Sequence, residues 1–223
     1  MPLVLHYLSL SPPARTVDLV IHALGLAAEY KVVDTLNKEQ FKPEFLKLNP
    51  LHTIPVIVDD GFVLWESHAI ITYLVSKYGK DDSLYPKDLK KRAIVDQRLH
   101  YSNDVFYVLR RITRKILLGQ LKVLSDDYIH RVRELQMNME KLLEGNKFMA
   151  GDTLTLADYS YITLVDVLEV FQPMENKFPH IKAWEARCKA SMKSFDYVNK
   201  KGAAEIIAKI KDGLSSMENI FAT

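Results

Sequence analysis

Among its 223 residues the chain has one cysteine, Cys188. A single thiol cannot close an intrachain disulfide, so no cross-link supports the fold, and a reducing compartment is expected. Runs of 18 or more apolar residues are missing, which argues against a membrane-spanning helix. The first residues, M-P-L-V-L-H-Y-L-S-L, have no basic segment before their apolar run, and Ser-Pro-Pro soon interrupts it. A secretory leader is therefore not expected, and the expected location is the cytoplasm. An excess of either charge is missing too, with 30 Lys+Arg against 28 Asp+Glu, so neither nucleic acid nor a membrane surface is an expected partner. None of the 7 histidines stands in a metal-ligand spacing such as H-x-x-x-H, and with one cysteine no metal is expected. Repeats and low-complexity tracts do not occur. What is present is a 48% hydrophobic fraction and a mean hydropathy near zero, as in a soluble protein with a sizeable core.

Patterning divides the chain in two. Leu3 to Leu8 reads as a strand. Ser11-Pro12-Pro13 reads as a helix start, with Val17, Val20, Ile21 and Leu24 as its apolar stripe and Gly25 as its stop. Glu29 to Leu36 reads as a second strand, and Phe41 to Leu48 as a short helix. Val56-Ile-Val58 and Phe62-Val-Leu-Trp65 flank Asp59-Asp60-Gly61, a strong short-hairpin signal because the turn needs positive φ. Ile70, Ile71, Tyr73, Leu74 and Tyr78 then follow helical spacing. The order β-α-β-α-β-β-α predicts a small α/β unit over 1–79. Residues 80–88 are polar and broken by Pro86, and predict a linker. Beyond it, 89–223 predicts an all-helical domain: a long helix ending near Gly119, one carrying Tyr128 to Leu142, and further helices over 155–170, 181–192 and 203–214. Thr155 and Asp158 form a capping-box pattern.

Each candidate for chemistry also has an ordinary reading. Ser11 could be a helix cap, Arg15 a solvated helix charge, His52 a loop histidine, and Glu66-Ser67 a capping pair. Cys188, far from these in sequence, reads as structural. The hairpin nevertheless ends at a helix start bearing a carboxylate and a hydroxyl. A helix start attracts a negative group and the carboxylate a positive one, so the pair suits a zwitterionic ligand.

The segments S-P-P-A-R, P-E-F-L-K-L-N-P-L-H-T-I-P-V, W-E-S-H-A-I and L-T-L-A-D, in this order, resemble a cytosolic glutathione transferase of the insect delta/epsilon group, epsilon more than delta. The resemblance spans essentially the whole chain. It implies a thioredoxin-like first domain binding glutathione as co-substrate, and an all-helical second domain completing a site for hydrophobic electrophiles. It implies conjugation, detoxification and a peroxidase activity of the same site, with a low-turnover, ligand-sequestering protein as the alternative. Ser11 matches the serine that hydrogen-bonds the thiol. Ile54-Pro55 matches a cis-proline whose preceding backbone pairs with the cysteinyl group, and Thr53 and His68 flank this clamp. Glu66 and Ser67 match the holders of the γ-glutamyl head, and His52 the histidine near the glycyl carboxylate. Gln40 stands where the epsilon group often has histidine, and Arg111 matches an arginine near the glutathione pocket. Many relatives carry a cysteine where this chain has Ala14.

For the second substrate, Leu8, Leu10, Pro13 and Leu36 are expected on the first-domain side, and Tyr107, Arg110 and Arg114 on the long helix. The resemblance also implies a homodimer, with His68 and His100 on the helices that build its two-fold interface. The C-terminal tail, from Lys211 onward, is amphipathic and a candidate cover for the pocket.

Overall fold

The computed structural model describes residues 2–121, 123–174 and 177–216. The first part consists of β1 (Leu3–Tyr7), α1 (Pro12–Leu24), β2 (Ala28–Val32), α2 (Pro43–Leu46), β3 (Val56–Asp59), β4 (Phe62–Trp65) and α3 (Ser67–Tyr78). Its sheet has the order β2-β1-β3-β4. β1 and β2 are parallel, and the other two pairings are antiparallel. This is the βαβαββα unit expected from the pattern. Asp60 (φ 50°) and Gly61 (φ 82°) make the two-residue turn, both left-handed as a hairpin of this twist requires. Leu5 and Ile57 of the sheet share a core with Val17, Val20 and Ile21 of α1 and Ile70, Ile71 and Leu74 of α3. A smaller cluster, Val33, Phe45 and Val56, joins α2 to the sheet.

Two local expectations change. The second strand ends at Val32 rather than Leu36, because the Asp34 carboxylate accepts the N–H groups of Leu36 (2.9 Å) and Asn37 (3.1 Å) and turns the chain away. The helix expected over 41–48 is split into a 3₁₀ turn, Glu39–Phe41, and α2. Lys42 precedes Pro43 and is extended (ψ 141°), since proline disfavours the helical conformation in the residue before it.

The second part is helical: α4 (Leu89–Leu117), α5 (Asp126–Leu143), α6 (Leu156–Phe171), α7 (Pro179–Ser191), and a π turn (Asp196–Lys200) running into α8 (Lys201–Ser215). Most of α6 is buried, and it packs against α1 as well as α4, α5, α7 and α8. Asp158, fully buried in its first turn, accepts from the N–H groups of Thr155 and Met149 and from Trp184 Nε1, each at 2.8 Å. The acidic half of the expected capping box is thus also a tie to α7. Cys188 on α7 is fully buried, and burial, followed by the nearby Asp158 charge, pushes its thiol pKa up. No described helix is long and apolar enough to cross a membrane. Of the expected pocket cover, residues 217–223 lie outside the described residues.

Candidate active site

A cleft of about 470 Å³ lies between the first unit and α4. From the first unit it is lined by Ser11, Gln40, His52, Thr53, Ile54, Pro55, Glu66 and Ser67, and by Leu8, Leu10, Pro13 and Leu36. From α4 come Tyr107, Arg110 and Arg114. Residues far apart in sequence are brought together because α1, the 49–55 loop and the start of α3 all meet at one end of the sheet.

Ser11 stands at the N-cap of α1 with extended backbone (φ −84°, ψ 115°), but its hydroxyl makes no capping hydrogen bond. Its carbonyl accepts from Arg15 N–H (3.0 Å) and its N–H donates to the Leu8 carbonyl (2.9 Å). The backbone is therefore fixed while the hydroxyl stays available to the cleft. Pro12 and Pro13 remove two N–H groups that a helix start would otherwise present, so the hydroxyl supplies more of the polar character here.

The loop before β3 is shaped by Asn49, which is fully buried. Its amide donates to the Thr53 carbonyl (2.9 Å) and hydroxyl (2.8 Å), and its oxygen accepts from Leu51 N–H (2.9 Å). His52, at φ 48°, rests on the Phe41 ring with centroids 4.7 Å apart. The Ile54-Pro55 bond is cis, as the resemblance implies. Glu66 closes the hairpin at φ 72°, a region that costs a non-glycine residue about 1–3 kcal/mol and is commonest where function requires it. Gln40 is buried; its amide nitrogen makes a long contact of 3.4 Å to the Thr35 carbonyl, and its oxygen has no partner among the described residues. A polar atom buried without a partner costs about 1–3 kcal/mol, which a ligand's donor would offset.

Two expected residues are not among those lining the cleft. Arg111 is exposed and sits to one side of the face of α4 formed by Asn103, Phe106, Tyr107, Arg110, Thr113, Arg114 and Leu117. The helical turn of 100° per residue explains the offset from Arg110. The His68 imidazole points into the seam between the domains, where Nε2 meets Ser160 Oγ at 2.8 Å and Ser102 Oγ at 3.2 Å. Desolvation, then the charge of His100, lowers its pKa to about 4.

Other lining residues were not singled out for the site by sequence: Pro12, Thr35, Lys38, Phe41, Leu118, Gln120, Leu164, Val167 and Ile206, and on α4 Asn103, Phe106, Leu109, Thr113 and Leu117. The spacing of the α4 residues was a usable signal, since 103, 106, 107, 110, 113, 114 and 117 fall on one helical stripe. Among the described residues, Lys38, Arg110 and Arg114 line the cleft with Glu66 as the one carboxylate, so this described lining carries net positive charge. Arg15, expected to be solvated, is 1% exposed and bonded between the domains.

Two models of glutathione S-transferase domains match the chain, the N-terminal domain over residues 10–77 and the C-terminal domain over 122–191. The chain is 41% identical to Glutathione S-transferase 1 of Manduca sexta, over 84% of this chain and 88% of that one. Among solved structures it resembles an epsilon-class glutathione S-transferase from housefly, Musca domestica (43% identity, TM-score 0.91, 95% of this chain and 98% of that one). It also resembles a glutathione transferase homolog from Drosophila mojavensis with bound glutathione (39% identity, TM-score 0.91, 95% and 97%).

Proposed function

This chain belongs to the glutathione S-transferase family, and from that premise we propose how its cleft performs the transfer of glutathione's thiolate to hydrophobic electrophiles. The observation that carries the reading is the uncommitted Ser11 hydroxyl, set in one cleft with a zwitterion clamp. Glu66 takes the γ-glutamyl ammonium and Ser67 its carboxylate. Ile54 and Pro55, after Thr53, align the cysteinyl backbone as an added strand would be aligned. Gln40 and His52, with Lys38 nearby, receive the glycyl carboxylate. His68 contributes through its place behind Ser67, and Arg111 as a cation beside the pocket.

The chemistry is one of ionisation. A thiol near pKa ~8.5 is only about 3% thiolate at neutral pH. Lowering it by about two units requires ~2.7 kcal/mol of selective stabilisation, within the roughly 1.5–3 kcal/mol of a hydrogen bond to a charged group. Ser11 therefore donates to the sulfur and need not act as a base. The electrophile lies beyond it, among Leu8, Leu10, Pro13 and Leu36 on one side and Tyr107, Arg110 and Arg114 on the other. Detoxification of reactive foreign compounds in the cytoplasm, reduction of hydroperoxides at the same thiolate, and a homodimer joined through α3 and α4 complete the proposal. We assign glutathione to a domain of residues 1–79 and the electrophile mainly to 89–223, joined by 80–88.

The test is conjugation of a chlorodinitroarene by purified protein and by Ser11→Ala. The variant should fold, bind glutathione, and show an acid limb of its kcat/KM profile moved up by about 1–2 pH units, as loss of one such hydrogen bond implies. An unmoved limb would remove Ser11 from the role. Tight ligand binding without turnover in the parent protein would instead favour the sequestering reading.

A further inference from the structure

We infer that the helical domain positions the thiol-stabilising serine, through Arg15, Asn199 and Gly202 acting on the Ser9 carbonyl; this rests on the role proposed for Ser11. The Arg15 guanidinium makes three hydrogen bonds in three directions. Nη1 donates to the Ser9 carbonyl (2.8 Å), Nη2 to the Thr163 carbonyl on α6 (3.0 Å), and Nε to Asn199 Oδ1 on the π turn (2.8 Å). Asn199, 1% exposed, also donates to Asp166 Oδ2 on α6 (3.3 Å). Desolvation lowers the Arg15 pKa to about 10, with the Asp166 charge opposing the shift, so the guanidinium stays charged at neutral pH. Burying such a charge is costly unless its donors are met, and here they are met by both domains.

Ser9 lies two residues before Ser11, and its carbonyl is fixed from two sides. Arg15 donates to it, and Gly202 at the start of α8 leaves no room beside it: a Cβ there would collide with the Ser9 oxygen and touch Arg15 Cδ. The π turn brings Asn199 inward and delivers Gly202 onto the loop immediately after it. One turn further along the same helix face, Ile206 lines the cleft. The helix that touches the space for the electrophile is therefore also the backstop of the loop that holds Ser11. A hydrogen bond to a thiolate falls off steeply with distance and angle, so a small shift of Ser9–Ser11 becomes a loss of thiol ionisation. Arg15, Asn199 and Gly202 are positioning residues; none of them lines the cleft.

The experiment titrates glutathione bound to the full chain, by the ultraviolet absorbance of the thiolate, in Gly202→Ala, Asn199→Ala and Arg15→Lys. Alanine favours a helix over glycine by about 1 kcal/mol, so Gly202→Ala harms α8 only through the collision with Ser9. In each variant that unfolds at the parent's temperature or within a few degrees of it, the bound thiol's ionisation constant should fall at least about threefold, or half a pH unit. Turnover lost at neutral pH should return above the new midpoint, with KM for glutathione little changed. The ionisable residues that line the cleft, Lys38, His52, Glu66, Arg110 and Arg114, are left unsubstituted in all three variants. Should Arg15→Lys fail to fold, the other two variants decide. Folded Gly202→Ala and Asn199→Ala proteins with an unshifted midpoint would overturn the inference while Ser11→Ala still shifts it. An unshifted Ser11→Ala would remove the Ser11 role itself, and this inference with it.

Discussion

Protonating His68 should loosen the seam between α3 and the helical domain. Its ring is hydrogen-bonded at Nε2 to Ser160 of α6 and lies against Ser102 of α4, whose hydroxyl is itself 2.8 Å from Ser160 Oγ. The folded protein holds the imidazole neutral down to about pH 4, through desolvation first and the charge of His100 second. In the unfolded chain it titrates near 6.5. Between these values the unfolded state binds more protons, so this contribution is full above about pH 6.5 and is lost as pH falls toward about 4. At about pH 4.5 the difference amounts to roughly 2.5 kcal/mol as an upper bound, and about 1–2 kcal/mol once the ring's partial exposure to solvent is discounted. For a chain of this size that is roughly 2–8 °C in Tm. The assay compares thermal unfolding of the parent and of His68→Gln, which keeps a hydrogen-bonding group but cannot titrate, at about pH 7.5 and pH 4.5. Both proteins lose stability in acid from other groups; the parent should lose those additional degrees. Equal losses would show that His68 is not held neutral in the seam, and the reading of this contact would fail.

Asp158→Ala should be the most damaging single change in the helical domain, since it leaves Met149 N–H, Thr155 N–H and Trp184 Nε1–H without their acceptor; urea unfolding should record a loss of about 3–5 kcal/mol. Asn49→Ala should raise KM for glutathione several-fold, with little change in KM for the aryl halide, because it frees the loop carrying His52 to Ile54. Gln40→His should tighten glutathione binding more at about pH 6 than at pH 8, because only a protonated imidazole brings charge to the glycyl carboxylate; isothermal titration at the two pH values checks this.

Where local chemistry decides the structure, it could be read from the sequence. Asp60-Gly61 had to turn with positive φ, and Asp158 had to serve the helix that starts after Thr155; both do. The end of β2 depended on the Asp34 side chain outcompeting the sheet for backbone N–H groups, a contest that strand propensity does not register. The cleft residues of the first unit carried a recognisable order, whereas those of α4 differ from their neighbours only by helical phase. That one-residue sensitivity is why Arg110 lines the cleft and Arg111 does not. Arg15 was the least legible. Nothing in P-P-A-R-T-V distinguishes a solvated arginine from one whose acceptors, on Thr163 and Asn199, lie 148 and 184 residues away.

Cys188 bears on how long each molecule can keep working. A catalyst of conjugation spends its life among compounds that alkylate sulfur. Its only cysteine is sealed in α7, fully buried and held as the thiol, and Ala14, three residues after the serine, is itself fully buried and carries no sulfur. Within the reaction space the co-substrate therefore brings the only thiol, and it leaves with the product. Repeated exposure to electrophiles should consume glutathione and leave Cys188 unmodified, so loss of activity over many turnovers should follow unfolding rather than alkylation of a protein thiol.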